Sequence, residues 1–266
     1  MSDISQELSA LRNEIDSIDQ GIVELLARRL EVCKEVADVK SQVDAAVIQP
    51  QRVREVLTTR RQWAINKNVD ADFAEQIFRT LLAETHRIEV AHGRNETAPL
   101  KDAEMNGASA LDTVACRIDH VVVAVTDISA TCAFFTQMGF RVSSTDDKDM
   151  FLAEAGGVLV VLLGAGNDAA VQAHLDEHGS GVQHIAIEVL NAGFTQQALS
   201  AIGVPLLTDV IVDKDGHEQL FTVLDPVSGV QLGFISRTGH RLPLNSHNVR
   251  ALFAAVPDQH PNEHPN

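Results

Sequence analysis

One stretch decides the fold of the N-terminal third, residues 8–43: LSALRNEIDSIDQGIVELLARRLEVCKEVADVKSQV. Its apolar residues recur at alternating intervals of three and four, which indicates one continuous helix with an apolar stripe. The stripe consists of Leu8, Leu11, Ile15, Ile18, Ile22, Leu25, Val32, Val36, Val39 and Val43. Such a helix would be about 54 Å long, longer than a domain of this size is wide. We therefore expect the stripe to pack against a second chain in a homodimer.

Length and net charge limit the classes of molecule that the chain is expected to bind. The chain has 266 residues, which predicts two domains, and a formal net charge of -16, which argues against nucleic acid or an anionic membrane as partner. No apolar run reaches the ~20 residues of a membrane span, and the N-terminus lacks the features of a signal peptide. We expect a cytoplasmic protein whose cysteines, Cys33, Cys116 and Cys132, are reduced core residues.

Two more helices are predicted before the pattern changes. Pro50 suits the first turn of a second helix that ends near Asn66. Asp70 is a plausible cap for a third helix, whose apolar residues have helical spacing. We expect an all-α domain of three helices over residues 1–92, and a linker over the polar, aperiodic residues 93–115.

A repeat of strand-like segments follows the linker. RIDHVVVAV at 117–125 and VQHIAIEV at 182–189 place His120 and His184 at corresponding positions, 64 residues apart. Each copy predicts a strand, a helix and three strands, and two copies side by side would form one curved sheet. The expected second domain is thus α+β with a paired βαβββ arrangement over 116–256, followed by a disordered tail, 257–266.

Cations on the first helix need an explanation. Arg29 interrupts the apolar stripe, and a buried cation must find an anion. Lys40 lies close to three turns further on, ~16 Å away on the same side, so the two side chains can close over a small dianion. Arg12 lies ~25 Å from Arg29 on the same helix and could reach that ligand only from an antiparallel partner helix.

The helical segments carry a family resemblance. ALRNEIDSIDQGIVELLARRLEVCKEVADVK (10–40), PQRV (50–53) and VDADFAEQIFRTLLAETHRIE (69–89) resemble the all-helical class of chorismate mutase, which forms intertwined dimers of three-helix chains. The resemblance implies a chorismate-binding site and no cofactor. Its substrate-binding residues would be Arg12 of the partner subunit, Arg29, Lys40, Gln49, Arg52, Val53, Thr85 and Glu89.

The reaction of that family explains which residues are expected to be catalytic. Chorismate rearranges to prephenate in a concerted step that places negative charge on the ether oxygen, so the site needs a compact substrate pose and preorganised donors. Arg29 would hold a carboxylate and Lys40 would donate to the ether oxygen. The second donor falls on Glu89, where many members have glutamine. We expect Glu89 to act as a neutral acid, the form that apolar surroundings favour.

Departures from the family pattern leave the substrate open. Val53 stands where a glutamate usually binds the C4 hydroxyl of chorismate, and Gln49 stands where an aspartate often helps. PQRV with RRQWA (60–64) is closer to the isochorismate pyruvate-lyase branch, and a mutase acting on 4-amino-4-deoxychorismate is a further alternative. The rival of another class is a metabolite sensor without turnover.

The second domain resembles the glyoxalase-like (vicinal oxygen chelate) fold, especially the catalytic half of 4-hydroxyphenylpyruvate dioxygenase. The likeness rests on IDHVVVAV (118–125), SGVQHIAIEV (180–189), QLFTV (219–223), GFISRTG (233–239) and NVRALF (248–253). That family holds Fe(II) with two histidines and a glutamate. His120 and His184 match the histidines, whereas the glutamate position falls on Gly233.

An iron site without its carboxylate is weak, so we expect no dioxygenase activity, although Fe(II) or another divalent metal stays an open alternative. His217 is a possible third ligand, since it shares a strand face with Gln219. Gln183 and Gln219 match glutamines that line the dioxygenase pocket. The resemblance therefore implies that this domain binds an aromatic or cyclohexadienyl keto acid.

Overall fold

The computed structural model of the protein describes residues 2–42, 49–91, 110–237, 244 and 246–255. The N-terminal part consists of three long helices, as predicted: α1 (Ser2–Gln42), α2 (Pro50–Asn66) and α3 (Ala71–Ala91). Pro50 occupies the first turn of α2, and Asp70 accepts a hydrogen bond from the backbone N–H of Phe73 at the start of α3. Helices α1 and α2 both pack against α3.

The apolar stripe of α1 faces outward within the single chain. Its nine described members, from Leu8 to Val39, are 41–69% exposed. Val43 lies outside the described residues. An apolar surface of this length is typical of an interface that another chain covers.

The C-terminal end of the segment predicted as a linker, 93–115, contains a short helix. A short helix, α4 (Ala110–Val114), precedes the first strand, and residues 92–109 lie outside the described part of the chain. Ala110 and Val114 are buried in a core that also contains Val53 and Leu57 of α2. Packing against α2 stabilises a turn of helix that the local sequence pattern does not indicate.

Eight strands form one sheet in the C-terminal part. The strand order is β2-β3-β4-β1-β5-β8-β7-β6. Strand β1 pairs with β4 in parallel, β5 pairs with β8 in parallel, and the antiparallel β1–β5 pair joins the two halves. The bounds are β1 Ala115–Val125, β2 Arg141–Ser144, β3 Met150–Ala155, β4 Val158–Gly164, β5 Gly181–Val189, β6 Ile211–Val212, β7 Glu218–Phe221 and β8 Leu232–Ser236.

The sheet has the two repeated modules that the sequence predicts. Helix α5 (Ile128–Gln137) follows β1, and α7 (Ala192–Ala201) follows β5, each at the same place in its module. Asp127 and Asn191 cap these helices by accepting backbone N–H bonds. The expected architecture, long helices followed by an α+β sheet domain, is confirmed.

Two helices outside the repeat cover the sheet face that carries the histidines. They are α6 (Ala169–His178) and α8 (Ser246–Ala255). Ile235 shares a strand face with Gly233, and it packs in one buried cluster with Val249 and Phe253 of α8. Apolar side chains of α8 therefore cover part of the sheet face that carries His120 and His184. The predicted tail, 257–266, lies outside the described residues.

None of the described helices combines the length and the apolar character that a membrane span requires.

Candidate functional site

A pocket of about 430 Å³ lies among the three long helices. Its volume suits a small organic ligand. Seven of the eight residues that the resemblance implies for substrate binding line it: Arg29, Lys40, Gln49, Arg52, Val53, Thr85 and Glu89. The eighth, Arg12, is exposed elsewhere on α1 and does not line this pocket. The structure thus brings together residues from α1, α2 and α3 that are up to 60 positions apart in sequence.

Arg29 is held in the pocket by neutral groups. One terminal nitrogen donates to the Thr85 hydroxyl at 2.8 Å and to the Leu81 carbonyl at 3.3 Å. The described residues supply no carboxylate partner for Arg29. Its orientation is therefore fixed while its positive charge stays available for an anionic ligand.

Lys40 and Glu89 are in direct contact. The Lys40 Nζ lies 2.7 Å from Glu89 Oε2, and the two side chains are 18% and 6% exposed. The resemblance implies two separate donors, whereas the structure joins Lys40 and Glu89 in an ion pair. A substrate oxygen that binds Lys40 must therefore share the ammonium with Glu89.

Arg60 is a further cation in the pocket, to which the sequence analysis gave no role. Its guanidinium lies 4.6 Å from the ring centroid of Trp63. Burial lowers the pKa of Arg60, and repulsion from Arg52 and Arg29 lowers it further. Arg60 lies four residues after Val56 and seven after Val53 on α2, so helical spacing could have placed it on the pocket side. The pocket therefore gathers three guanidinium groups, which suits a dianion.

The second domain also contributes to this pocket. Leu190, which directly follows β5, is one of the lining residues and is almost fully buried. It packs in the same core as Val53 and Leu57 of α2. The sequence did not identify Leu190 as a pocket residue, because the periodicity within one domain does not show its contacts with the other domain. His86 was missed too, although it lies beside Thr85 on α3.

Helix α3 is fixed to the second domain by charged and polar contacts. Arg87 donates to Glu188 of β5 at 2.6 Å, and Arg79 donates to the carbonyls of Asp112 and Ala115 at 2.6 and 2.8 Å. Burial favours a raised pKa for Glu188, but the adjacent Arg87 and Arg117 guanidinium groups lower it below its usual value. Glu188 therefore stays ionised and holds both arginines.

The two strand histidines, His120 and His184, meet in the interior of the second domain. Both are fully buried, with ring centroids 5.7 Å apart. His120 Nδ1 lies 3.1 Å from Asp119, and His184 Nδ1 contacts Gln183 Oε1. Burial lowers the pKa of His184 well below its usual value, and electrostatic repulsion from the adjacent imidazole lowers it further. Neither Nε2 has a hydrogen-bond partner among the described residues.

These residues do not fit the iron site of the dioxygenase family. A Cβ built on Gly233 would lie 3.1 Å from His184 Cδ2 and 3.0 Å from Phe221 Cε1. The third-ligand position thus faces His184, but the Phe221 ring fills the space of a ligand side chain. Among the described residues, no three His, Cys, Asp or Glu side chains are placed to hold a metal ion, so His217 is not brought into a ligand group.

The two glutamines expected to line a keto-acid pocket are both buried. Gln183 is 5% exposed and donates to Gln231 Oε1 at 2.7 Å, and Gln219 is 0% exposed. Gln183 also lines a cleft of about 430 Å³ together with His174, His178 and Gln231. His120, His184 and Gln219 do not line that cleft, so the cleft does not bring Gln183 together with them.

Comparison with known proteins assigns the helical part of the chain to a protein family. A sequence model of the family described as chorismate mutase type II matches residues 11–90. A chorismate mutase from Methanocaldococcus jannaschii is 31% identical over 77 residues, which cover 29% of this chain and 78% of that protein. The chain belongs to the chorismate mutase type II family.

Two further relatives match the helical part of the chain. An isochorismate pyruvate lyase from Pseudomonas aeruginosa is 36% identical over 75 residues, covering 28% of this chain and 73% of that protein. The T-protein of Enterobacter agglomerans is 37% identical over 93 residues, covering 35% of this chain. The chain spans only 25% of the length of that T-protein.

The second domain matches a different family. A sequence model described as the Glyoxalase/Bleomycin resistance protein/Dioxygenase superfamily matches residues 117–234, which confirms the predicted glyoxalase-like domain. Among solved structures, a mutant of 4-hydroxymandelate synthase from Streptomyces coelicolor overlays with a TM-score of 0.46 and 22% identity. That overlay covers 55% of each chain.

Proposed function

We propose that the protein is a chorismate mutase that converts chorismate to prephenate in the helical pocket. One observation carries the proposal: the pocket combines Arg29, Arg52 and Arg60 with the Lys40–Glu89 pair. Three guanidinium groups match a dianion, and the buried ammonium group of Lys40 matches an oxygen that gains negative charge during the reaction.

The proposed mechanism needs neither a nucleophile nor a cofactor. Arg29 and Arg52 bind the two carboxylates and hold the substrate in its compact pose, which removes much of the entropic barrier. Lys40 donates to the ether oxygen as the carbon–oxygen bond breaks. Glu89, protonated in the substrate complex, supplies the second donor.

We further propose that the site is completed in a homodimer. The exposed apolar stripe of α1 supplies the interface, and an antiparallel arrangement brings Arg12 of the partner subunit to the pocket. This accounts for the position of Arg12, which is exposed and remote from the pocket of its own chain.

Isochorismate pyruvate-lyase activity is the second candidate, because the pocket lacks the expected acidic partner for a C4 substituent. Glu89 is the only carboxylate among the described lining residues, and Val53 and Gln49 take the places of acidic residues. The same lining disfavours 4-amino-4-deoxychorismate, whose C4 ammonium needs an anion.

Product analysis tests the assignment. The purified protein is incubated separately with chorismate, isochorismate and 4-amino-4-deoxychorismate, and the products are separated from their isomeric substrates by liquid chromatography and identified by mass spectrometry. Prephenate from chorismate supports the mutase, whereas salicylate and pyruvate from isochorismate support the lyase. Binding of all three without turnover would indicate the metabolite sensor.

A further inference from the structure

A second cleft lies in the glyoxalase-like domain, apart from the buried histidines. It has a volume of about 640 Å³ and opens beside β1, β3 and β4. That volume lies within the usual range of small-molecule sites. Polar and charged residues in its lining include Arg117, Asp119, Arg141, Ser143, Glu154 and Arg237.

The charged groups of this cleft differ in how firmly they are held. Arg237 is buried and binds Asp119 with two nitrogens, each at 2.6 Å, so that pair is a fixed part of the wall. Arg141 is 78% exposed and pairs with Glu154 at the rim. Arg117 lies between these extremes, with a side chain that is 33% exposed.

Arg117 has N–H donors in addition to the one that binds Glu188. Its Nε donates to Glu188 at 2.7 Å, whereas its two terminal nitrogens have no hydrogen-bond partner in the described part of the chain. A guanidinium group can bind a carboxylate with two parallel N–H bonds while its remaining N–H keeps another partner. Arg117 can therefore bind a ligand carboxylate in the cleft without releasing Glu188.

Glu188 connects this arginine to the helical pocket. The same carboxylate accepts from Arg117 of β1 and, at 2.6 Å, from Arg87 of α3. The neighbouring residues of α3, Thr85, His86 and Glu89, line the helical pocket. An unbroken series of two ion pairs thus runs from the second cleft to the helix that carries part of the proposed active site.

We propose that the second cleft binds a small organic carboxylate through Arg117 and that its occupancy is transmitted to the helical pocket through Glu188 and Arg87. The bound carboxylate fixes the half-exposed guanidinium of Arg117, and this orders Glu188, Arg87 and α3 in turn. A ligand that orders α3 lowers the cost of ordering it for a second ligand, so the two sites favour each other. The coupling to turnover rests on the proposed mutase function, whereas binding in the cleft does not.

The test uses phenylpyruvate as an aromatic 2-oxo acid and phenylacetone as a near-isosteric ketone that lacks the carboxylate. Titration calorimetry on the full chain measures binding, and hydrogen exchange measures the protection of the α3 amides. We expect phenylpyruvate alone to bind, and to slow exchange in α3 about fivefold or more, the lower end of usual coupling factors. If the protein is active, the KM for chorismate falls by a similar factor.

Three variants test ligand binding in the cleft and transmission to α3 separately. Arg117→Ala should weaken phenylpyruvate binding at least tenfold. Glu188→Gln, which does not line the cleft, should keep the binding and lose the response of α3. Arg141→Ala is the matched control in the same cleft: at saturating phenylpyruvate it should still show slowed exchange in α3.

Hydrogen exchange in α3 tests the coupling independently of the proposed mutase activity, because this measurement needs no turnover. Equal binding of phenylacetone, or binding that survives Arg117→Ala and disappears in Arg29→Ala, would overturn the cleft assignment. Unchanged or faster exchange in α3 of the saturated wild-type protein would overturn the transmission through Glu188.

Discussion

Arg87 and Glu188, 101 residues apart in sequence, form a buried ion pair with a donor–acceptor distance of 2.6 Å that joins the two domains. Both side chains are almost fully enclosed, at 5% and 3% exposure. Arg87 lies on the same helix as the pocket residues Thr85 and Glu89. The geometry of the helical pocket therefore depends on a residue of the glyoxalase-like domain.

The first prediction concerns acid stability. The pKa of Glu188 is lower in the folded protein than its usual value, so this group stabilises the fold above the unfolded-state pKa, near ~4.3. That contribution is lost as pH falls through the lower, folded-state pKa. Denaturant unfolding from pH 7 down to pH 3 should show a steeper loss of stability in the wild type than in Glu188→Gln. Parallel curves for the two proteins would mean that Glu188 titrates alike in both states.

The second prediction is that Arg29→Ala abolishes turnover and leaves the fold intact. Arg29 has only neutral partners, the Thr85 hydroxyl and the Leu81 carbonyl, so its removal breaks no ion pair within the described residues. Steady-state kinetics and circular dichroism measure the two effects. The exposed neighbour Arg28→Ala serves as the control. Activity within about tenfold of wild type, a loss below ~1.4 kcal/mol, would show that the substrate binds elsewhere.

The third prediction assigns Arg60 to substrate binding. Because Arg60 shares the pocket with Arg29 and Arg52, Arg60→Ala should raise the KM about tenfold or more through the loss of one charge-assisted contact, roughly 1.5–3 kcal/mol. Arg61→Ala removes the adjacent cation, which pairs with Asp72 and Glu75 outside the pocket, and should leave the KM unchanged. Equal effects of the two variants would indicate a general loss of charge or stability on α2.

The fourth prediction tests the shared site. Arg12→Ala and Arg29→Ala homodimers should each be inactive, and mixing and refolding them together should restore part of the activity. In a heterodimer, one of the two pockets contains both arginines intact. Verified heterodimers without recovered activity would show that each site is built from a single chain.

Local periodicity predicts much of this molecule. The alternating spacing from Leu8 to Val39 predicts α1, and the 64-residue repeat that relates His120 to His184 predicts the two modules of the sheet. Both features depend on residues close in sequence or on an internal repeat. Helical spacing brings Arg29 and Lys40 to one side of α1, whereas Glu89 could be assigned to their pocket only through the family resemblance.

The features that sequence analysis missed are contacts between distant segments. The spacing within β5 does not show that Leu190 lines a pocket among α1, α2 and α3. The packing of Val249 and Phe253 against the face that carries His184 depends on how α8 folds back over the sheet. The same holds for Phe221, whose ring occupies the space beside Gly233.

The last prediction follows from the contact between Lys40 and Glu89. Lys40 Nζ and Glu89 Oε2 lie 2.7 Å apart, so a substrate oxygen that binds Lys40 also lies near Glu89. A carboxylate at this point would repel the charge that develops on the ether oxygen, whereas an uncharged donor stabilises it. Glu89→Gln supplies an uncharged donor and should keep the activity, whereas Glu89→Ala removes the donor and should lower kcat about tenfold or more. Glu84→Gln on the same helix, which pairs with Arg87 outside the pocket, is the control and should keep the wild-type kcat. If Glu89→Ala kept the wild-type kcat, Lys40 alone would be the donor to the ether oxygen.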